Sequence, residues 1–283
     1  MDSTIRSQAR KDVKPRSVVL PDVKRNKELQ TSTDRRFKYN GHGWTEATKG
    51  YEIRKPFGPC LYFGKFTDDE VKFLRKLSDD ARSIKDPMGK SLSGNIAGQY
   101  DMKNVGTPEE QKQFIDLMAE HCNNYIRSGL QVSNLDEMPS EEDHNLAIQL
   151  LGYPWVNVTK AGEFNPMHTH PNSLISASLY IDIPEVIKEE KKEVEEFTNQ
   201  PVPGDITFAG GLIDDIWQSS GVNYTPTTGD CIFFPGAMRH AVYPYKSDVE
   251  RVTLSFNIAS FGFVSKTRNI TQPYKMWFND YDR

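Results

Sequence analysis

The sequence predicts an α+β fold whose core is an antiparallel β barrel or sandwich. Two patterns carry that expectation. Apolar residues recur at helical spacing before residue 130, whereas from residue 146 onward the period is mostly two, in short runs divided by Gly, Pro and Asn. Helices grouped ahead of strands argue α+β over an alternating α/β sheet. A third observation concerns chemistry. Met167-His168-Thr169-His170-Pro171-Asn172 and Phe234-Pro235-Gly236-Ala237-Met238-Arg239-His240 hold three of the six histidines.

Composition sets bounds on the rest. A chain of 283 residues can bury one large core or two small ones. Its 37% hydrophobic content is low, so part of the chain is expected outside the core. The net charge of −4 is unevenly spread, with residues 1–38 carrying an excess of Lys and Arg. Residues 1–45 therefore read as a flexible, solvated basic arm, with an arm that binds an unknown partner as the alternative; nucleic acid is not expected. Cys60, Cys122 and Cys231 are widely spaced, form no CxxC pair and fit buried free thiols in a reducing compartment. No apolar run approaches the roughly 18–20 residues that span a bilayer, and the N-terminus lacks the apolar stretch of a signal peptide. The expectation is a soluble cytoplasmic protein with no membrane partner.

In chain order, Tyr51 to Phe63 reads as an edge strand because of its prolines. Thr67-Asp68-Asp69-Glu70 is a capping box ahead of Val71 to Leu77, giving a first helix. A Gly- and Ser-rich connection, Gly89 to Gly98, follows. Thr107-Pro108-Glu109-Glu110 opens a second helix, along which Phe114, Leu117, Met118, His121, Cys122 and Tyr125 recur at helical spacing. His121 thus reads as a helix-face residue rather than a ligand. Leu146 to Thr159 gives one or two strands, with Trp155, Asn157 and Thr159 sharing a face. Leu174 to Ile181 is another, whose polar face is Ser176, Ser178 and Tyr180. Glu185 to Phe197 is a charge-dense solvated helix. Residues 198–228 read as a long loop holding Trp217, of the length that lids and binding loops have. Gly229-Asp230 turns into the strand Cys231 to Phe234.

His168 and His170, one residue apart on a strand, point to one face, and a distant His240 can complete a facial set on a divalent metal. Imidazole alone does not choose among Zn, Fe, Ni and Cu. Arg251 sharpens the picture. A strand that buries Val252, Leu254, Phe256 and Ile258 turns Arg251, Thr253, Ser255 and Asn257 to the other face, which in a closed barrel is the interior. A buried Arg needs an anion, holds a carboxylate by two parallel hydrogen bonds and can be helped by the Thr253 hydroxyl.

These segments resemble the 2-oxoglutarate- and Fe(II)-dependent oxygenases, whose HxD/E…H ligands are followed by Arg-x-Ser/Thr. HTHPNSLISASLYI and GDCIFFPGAMRHAVYPY…RVTLSFNI, with NIAGQY ahead of them, are more closely similar to the oxygenases of this class in cyanophage genomes. The resemblance spans roughly residues 55–265. It implies a double-stranded β-helix (jelly-roll, cupin-like) core with the N-terminal helices packed on one sheet. The implied units are the arm at 1–45, an oxygenase domain at 46–265 with an insert or lid at 185–228, and a C-terminal extension at 266–283. His168 and His240 would ligate Fe(II). Arg251, with Thr253 and Tyr180, would hold the distal carboxylate of 2-oxoglutarate, and Asn157 its metal-proximal carboxylate. O2 is the co-substrate, ascorbate a reductant, and a protein (prolyl) or small-molecule substrate would be hydroxylated with release of succinate and CO2.

One departure stands out. His170 occupies the position that Asp or Glu usually holds in such enzymes. It would ligate and make a neutral three-His site, swing away for water as in the aspartyl/asparaginyl β-hydroxylases, or mark a degenerate site. Two other readings stay open: a cupin-like metal enzyme that does not use 2-oxoglutarate, and a non-catalytic phage binding or structural protein on the same scaffold.

Overall fold

The computed structural model describes residues 16–19, 51–54, 60–84, 94–132, 140, 142–194, 202–210 and 221–266. The elements are β1 (Arg16–Val19), β2 (Tyr51–Arg54), β3 (Leu61–Lys65), α1 (Asp68–Ile84), β4 (Gly98–Asp101), α2 (Pro108–Val132), β5 (His144–Leu150), β6 (Trp155–Thr159), β7 (Asn165–His168), β8 (Ile175–Asp182), α3 (Glu185–Val194), β9 (Ile206–Ala209), β10 (Gly221–Tyr224), β11 (Asp230–Pro235), β12 (Arg239–Val242) and β13 (Arg251–Ser265).

Strands β6 to β13 form two facing sheets. In the larger sheet the order is β6-β13-β8-β11, and in the smaller β7-β12-β9-β10. Numbered along the chain, that is 1-8-3-6 against 2-7-4-5, the strand order of a double-stranded β-helix. The larger sheet is widened by β5 and β1 beyond β13, by β3 and β2 beyond β11, and by β4 on β6, to nine strands. All pairs are antiparallel. β13 is the spine: its first half pairs with β6 and β8, and its second half continues along β5.

Both early helices start as the sequence predicts. Thr67 N–H donates to Glu70 Oε2 at 2.7 Å while Glu70 N–H donates to Thr67 Oγ1 at 3.4 Å. The same reciprocal pair joins Thr107 and Glu110 at 2.8 and 3.3 Å. Each box satisfies donors that a helix start otherwise leaves free, worth about 1 kcal/mol. The apolar stripes of α1 (Leu74, Leu77, Ala81) and α2 (Phe114, Met118, Cys122) then pack in one core with Val156, Val158, Leu179, Phe233, Val252, Leu254 and Phe256 of the larger sheet. Each fully buried Leu or Phe contributes about 1.5–3 kcal/mol. The alternate residues of those strands face the smaller sheet, where Phe63, Tyr180, Ile206, Phe208, Ile232 and Phe234 make a second core.

Three expectations need correction. Tyr51 to Phe63 is not one strand: β2 is an edge strand on β3, which lies inside the sheet. The arm is not structureless throughout, because Arg16–Val19 pairs with β5 in the register Arg16↔Leu150 to Val19↔Ala147. An exposed strand edge offers unpaired N–H and C=O groups, and a short Ser-Val-Val run meets them. Residues 198–228 are not simply a loop, since they hold β9 and β10. Ile206 and Phe208 are buried and β9 pairs with β12, so this stretch builds half of the smaller sheet. Trp217, residues 89–93 of the Gly89–Gly98 connection and residues 267–283 lie outside the described residues. Cys60, Cys122 and Cys231 are buried. Among the described residues no helix is long and apolar enough to cross a membrane.

Candidate metal and 2-oxoglutarate site

The two sheets bring the three histidines together. β12 pairs with β7 so that His240 stands directly opposite His168. His170 follows β7, and its backbone N–H donates to Gly236 O at 2.8 Å, which clamps the β7–β8 turn against the β11–β12 turn. Gly236 is required there, because a Cβ would sit 2.3 Å from the carbonyl oxygen of Ser173. The ligand atoms of His168, His170 and His240 all lie within 4.8 Å of one another.

Hydrogen bonds orient two of the rings. His168 Nδ1–H donates to Pro166 O at 2.7 Å and His240 Nδ1–H to Met238 O at 3.0 Å. Each carbonyl fixes the tautomer that leaves Nε2 bare, the usual device behind a metal-bound imidazole. His170 Nε2 lies 3.3 Å from His240 Nε2. Two nitrogens each about 2.1 Å from one ion and about 90–110° apart are separated by about 3.0–3.4 Å, so the spacing suits two ligands of one cation. Burial keeps the imidazoles neutral: it holds His170 down to about 4 and His240 to about 3, and lowers His168. The donor set therefore fits a divalent transition metal.

The inward row of β13 supplies the rest. Arg251 is 2% exposed, with its side chain between the sheets. Its Nη1 donates to Gly204 O at 3.0 Å, and the guanidinium lies 5.3 Å from the Tyr180 ring centroid. Arg251 Nε has no hydrogen-bond partner. Among the described residues no carboxylate forms an ion pair with Arg251. A buried cation with an orphaned Nε fits an anion that accepts from it. Burial pushes the Tyr180 hydroxyl up to about 12, so it stays protonated and able to donate.

Thr253 stands opposite both Asn157 and Tyr180 across the strands. Asn157 Nδ2 donates to Thr253 Oγ1 at 3.5 Å, and Gln99 Nε2 donates to Asn157 Oδ1 at 2.8 Å. One cavity of about 550 Å³ is lined by His168, His170, His240, Arg251, Thr253 and Asn157. Tyr180, whose ring contacts the Arg251 guanidinium, is not part of that lining. Gln99 and Gly204 escape sequence reasoning. A Gln on a short strand has no spacing signal, and Gly204 acts through a backbone carbonyl. His121, read as a helix-face residue, is buried away from this cluster, with its Nδ1 accepting from Tyr62 Oη at 2.6 Å.

The jelly-roll core thus holds an inward His cluster and a buried Arg with an unpartnered Nε in one cavity. Comparison with known proteins makes this more specific. Residues 153–257 match the family described as "Putative 2OG-Fe(II) oxygenase", a segment that contains all three histidines, Arg251, Thr253, Tyr180 and Asn157. That description names Fe(II) and 2-oxoglutarate. No curated protein matches the chain. Similar solved structures include a Pseudomonas putida prolyl-4-hydroxylase at 14% identity, covering 75% of this chain and 92% of that one with a TM-score of 0.40. A Trichoplax adhaerens prolyl hydroxylase, solved with a hypoxia inducible factor peptide, has 11% identity, 75% and 84% coverage and a TM-score of 0.43. HygX from Streptomyces hygroscopicus, solved with nickel and 2-oxoglutarate, has 12% identity, 73% and 83% coverage and a TM-score of 0.41.

Proposed function

We propose that this chain is an Fe(II)- and 2-oxoglutarate-dependent dioxygenase that hydroxylates a protein, with prolyl residues the first to test, or a small-molecule substrate. The single observation that carries the reading is the buried Arg251, with an unpartnered Nε, in the same cavity as three converging imidazoles.

His168, His240 and His170 would hold the iron, and Arg251, Thr253 and Tyr180 the distal carboxylate of the co-substrate. Asn157, held by Gln99, would meet its other end. With iron, 2-oxoglutarate and O2 bound, such a site couples decarboxylation of the 2-oxo acid to succinate and CO2 with insertion of one oxygen atom into a substrate C–H bond. Ascorbate would serve as reductant. The protein's part is to place charges and exclude water. Ile206, Phe234 and Val242 line the cavity beside Arg251 and keep that end apolar, which strengthens its hold on an anion.

The cavity also reaches Gln99, Asp101, Lys103, Tyr153 and Asn172. Phe164, Met167 and Leu174, three large apolar side chains exposed by 37–54%, lie in the chain segment that carries His168 and His170. This supports a substrate that brings apolar surface to the rim. Residues 46–265 would be the catalytic unit, with the 1–45 arm binding an unknown partner and 266–283 an extension. The closer likeness to cyanophage oxygenases, resting on the segments 168–181 and 229–258, would put the enzyme in the cytoplasm of a host cell. The three-imidazole donor set favours a second reading, a cupin-like metal enzyme without 2-oxoglutarate; Arg251 weighs against it.

The test is an anaerobic titration of the metal-free protein with Fe(II) and then 2-oxoglutarate, following the weak visible charge-transfer band of a chelated 2-oxo acid. A band that disappears in Arg251→Ala supports the proposal. Metal binding with no band favours the cupin-like reading.

A further inference from the structure

Two of the three rings have a backbone carbonyl on Nδ1; the third does not. His170 Nδ1 instead faces the Asn257 side chain, with Asn257 Nδ2 3.4 Å away. The other end of that carboxamide, Oδ1, accepts from Ser176 Oγ at 2.7 Å. Asn257 and Ser176 are opposite residues in the β13·β8 register, both on the inward face, so the strands themselves present the pair to His170. Ser176 is buried, which leaves the amide few other partners.

A carbonyl can only accept, but a carboxamide can do either, depending on the end it presents. With Nδ2 toward the ring, Nδ1 accepts, the ring proton sits on Nε2, and Nε2–H donates to His240 Nε2 at 3.3 Å. In that arrangement His170 cannot ligate. With the amide turned by 180°, Oδ1 accepts from Nδ1–H and Nε2 is bare. The Ser176 hydroxyl satisfies both arrangements, donating in the first and accepting in the second. We propose that Asn257 is the positioning residue for the third histidine: its carboxamide, held by Ser176, sets the His170 tautomer and turns over when His170 becomes a ligand. In the exchange one proton leaves Nε2 to solvent and one is taken up at Nδ1, with no net change.

This rests on the metal-site reading but not on 2-oxoglutarate, and the experiment keeps the two apart. The full chain, labelled with 15N-histidine, is examined by long-range 1H–15N correlation before and after addition of Zn(II), a diamagnetic probe. His170 is expected as the Nε2–H tautomer beforehand and as Nδ1–H with Nε2 metal-bound afterwards. Asn257→Leu, which offers no acceptor, should weaken Zn(II) binding about 10–100-fold. Asn257→Asp, which can only accept, should keep His170 as Nδ1–H throughout and bind Zn(II) at least as tightly as the parent. A merely structural Asn257 would leave the tautomer unmoved in both folded variants. His168 and His240 responding to Zn(II) while His170 does not, or Asn257→Leu binding as the parent does, overturns the inference alone. Three histidines all indifferent to Zn(II) overturn the metal site as well.

Discussion

Arg251→Met separates what the buried guanidinium does for folding from what it does for binding. Methionine fills much of the same volume without charge. In the metal-free protein the guanidinium, 2% exposed, has one carbonyl acceptor and an aromatic face, with no ion-pair partner among the described residues. Burial lowers its pKa from the ordinary arginine value, a sign that the cation is poorly compensated. A buried ion carries a desolvation penalty of several kcal/mol that an apolar side chain avoids, so the replacement should be neutral or stabilising by up to about 4 kcal/mol. At roughly 2–3 °C per kcal/mol for a chain of this size, the variant should melt between the parent temperature and about 10 °C above it. Binding should move the other way. Removing one partner of a charge-assisted pair costs about 2–5 kcal/mol, a factor of about 30 to several thousand in Kd. The assay is a pair of thermal melts, without ligand and with Zn(II) plus 2-oxoglutarate at about 100 times the parent Kd. The parent should gain about 2.7 kcal/mol from the 2-oxo acid and the variant between about 0.9 kcal/mol, for a 30-fold weaker Kd, and nothing. A variant that melts well below the parent unliganded, yet gains as much from 2-oxoglutarate, would refute the assignment of Arg251 as the anion receptor.

Three further expectations follow from the same geometry. Gly236→Ala places a Cβ 2.3 Å from the Ser173 carbonyl oxygen, so the two turns must part; a urea melt should show a loss of about 1–3 kcal/mol, and Zn(II) titration should show weaker binding as the His170 clamp loosens. His170→Asp puts an anion where a neutral imidazole stands, and anaerobic titration without 2-oxoglutarate should show tighter Fe(II) binding; an unchanged affinity would take that position out of the coordination sphere. His121, buried against Tyr62, is held down to about 4 by desolvation, so the unfolded chain binds more protons between that value and its ordinary 6.5. Its contribution is complete above about pH 6.5 and is lost as pH falls toward 4, by on the order of 3 kcal/mol; stability against pH for His121→Gln should be correspondingly flatter in that window.

What the sequence made legible follows from where the information is local. The capping box at Thr67 and the Thr107-Pro108 helix start each lie within four residues, and the alternation along 251–258 lies within one strand, so each can be read without its neighbours. The His-x-His pair and the Arg251-Thr253 pair share that property. The partners of those side chains do not. That His168 faces His240 is a fact of β7–β12 register, and that Asn257 faces Ser176 is a fact of β13–β8 register, each joining residues some 70–80 apart. β9 and β10 were hidden for a related reason. Four-residue strands carry too short a period to stand out from a loop, and only pairing with β12 makes them strands. Gly204 was out of reach altogether, since any residue has a carbonyl.

Charge in the cavity leads to a last prediction. The charged side chains lining it are Asp101, Lys103 and Arg251. Three neutral imidazoles bring no negative charge to a divalent ion, whereas the usual carboxylate-bearing set brings one. Iron beside Arg251 would thus leave a cation-rich interior where little water is available to screen it. A dianion such as 2-oxoglutarate relieves that repulsion, so ion and anion should each bind better in the presence of the other. Coupling between sites is typically about 1–3 kcal/mol, or about 5–150-fold, and must be reciprocal. Calorimetric titration of Fe(II) with and without saturating 2-oxoglutarate, and the converse, should give the same factor both ways. Arg251→Met should reduce that factor, because it removes the cation the anion offsets. If Fe(II) affinity is indifferent to 2-oxoglutarate in the parent protein, the neutral-ligand account of the site fails, whatever the enzyme turns over.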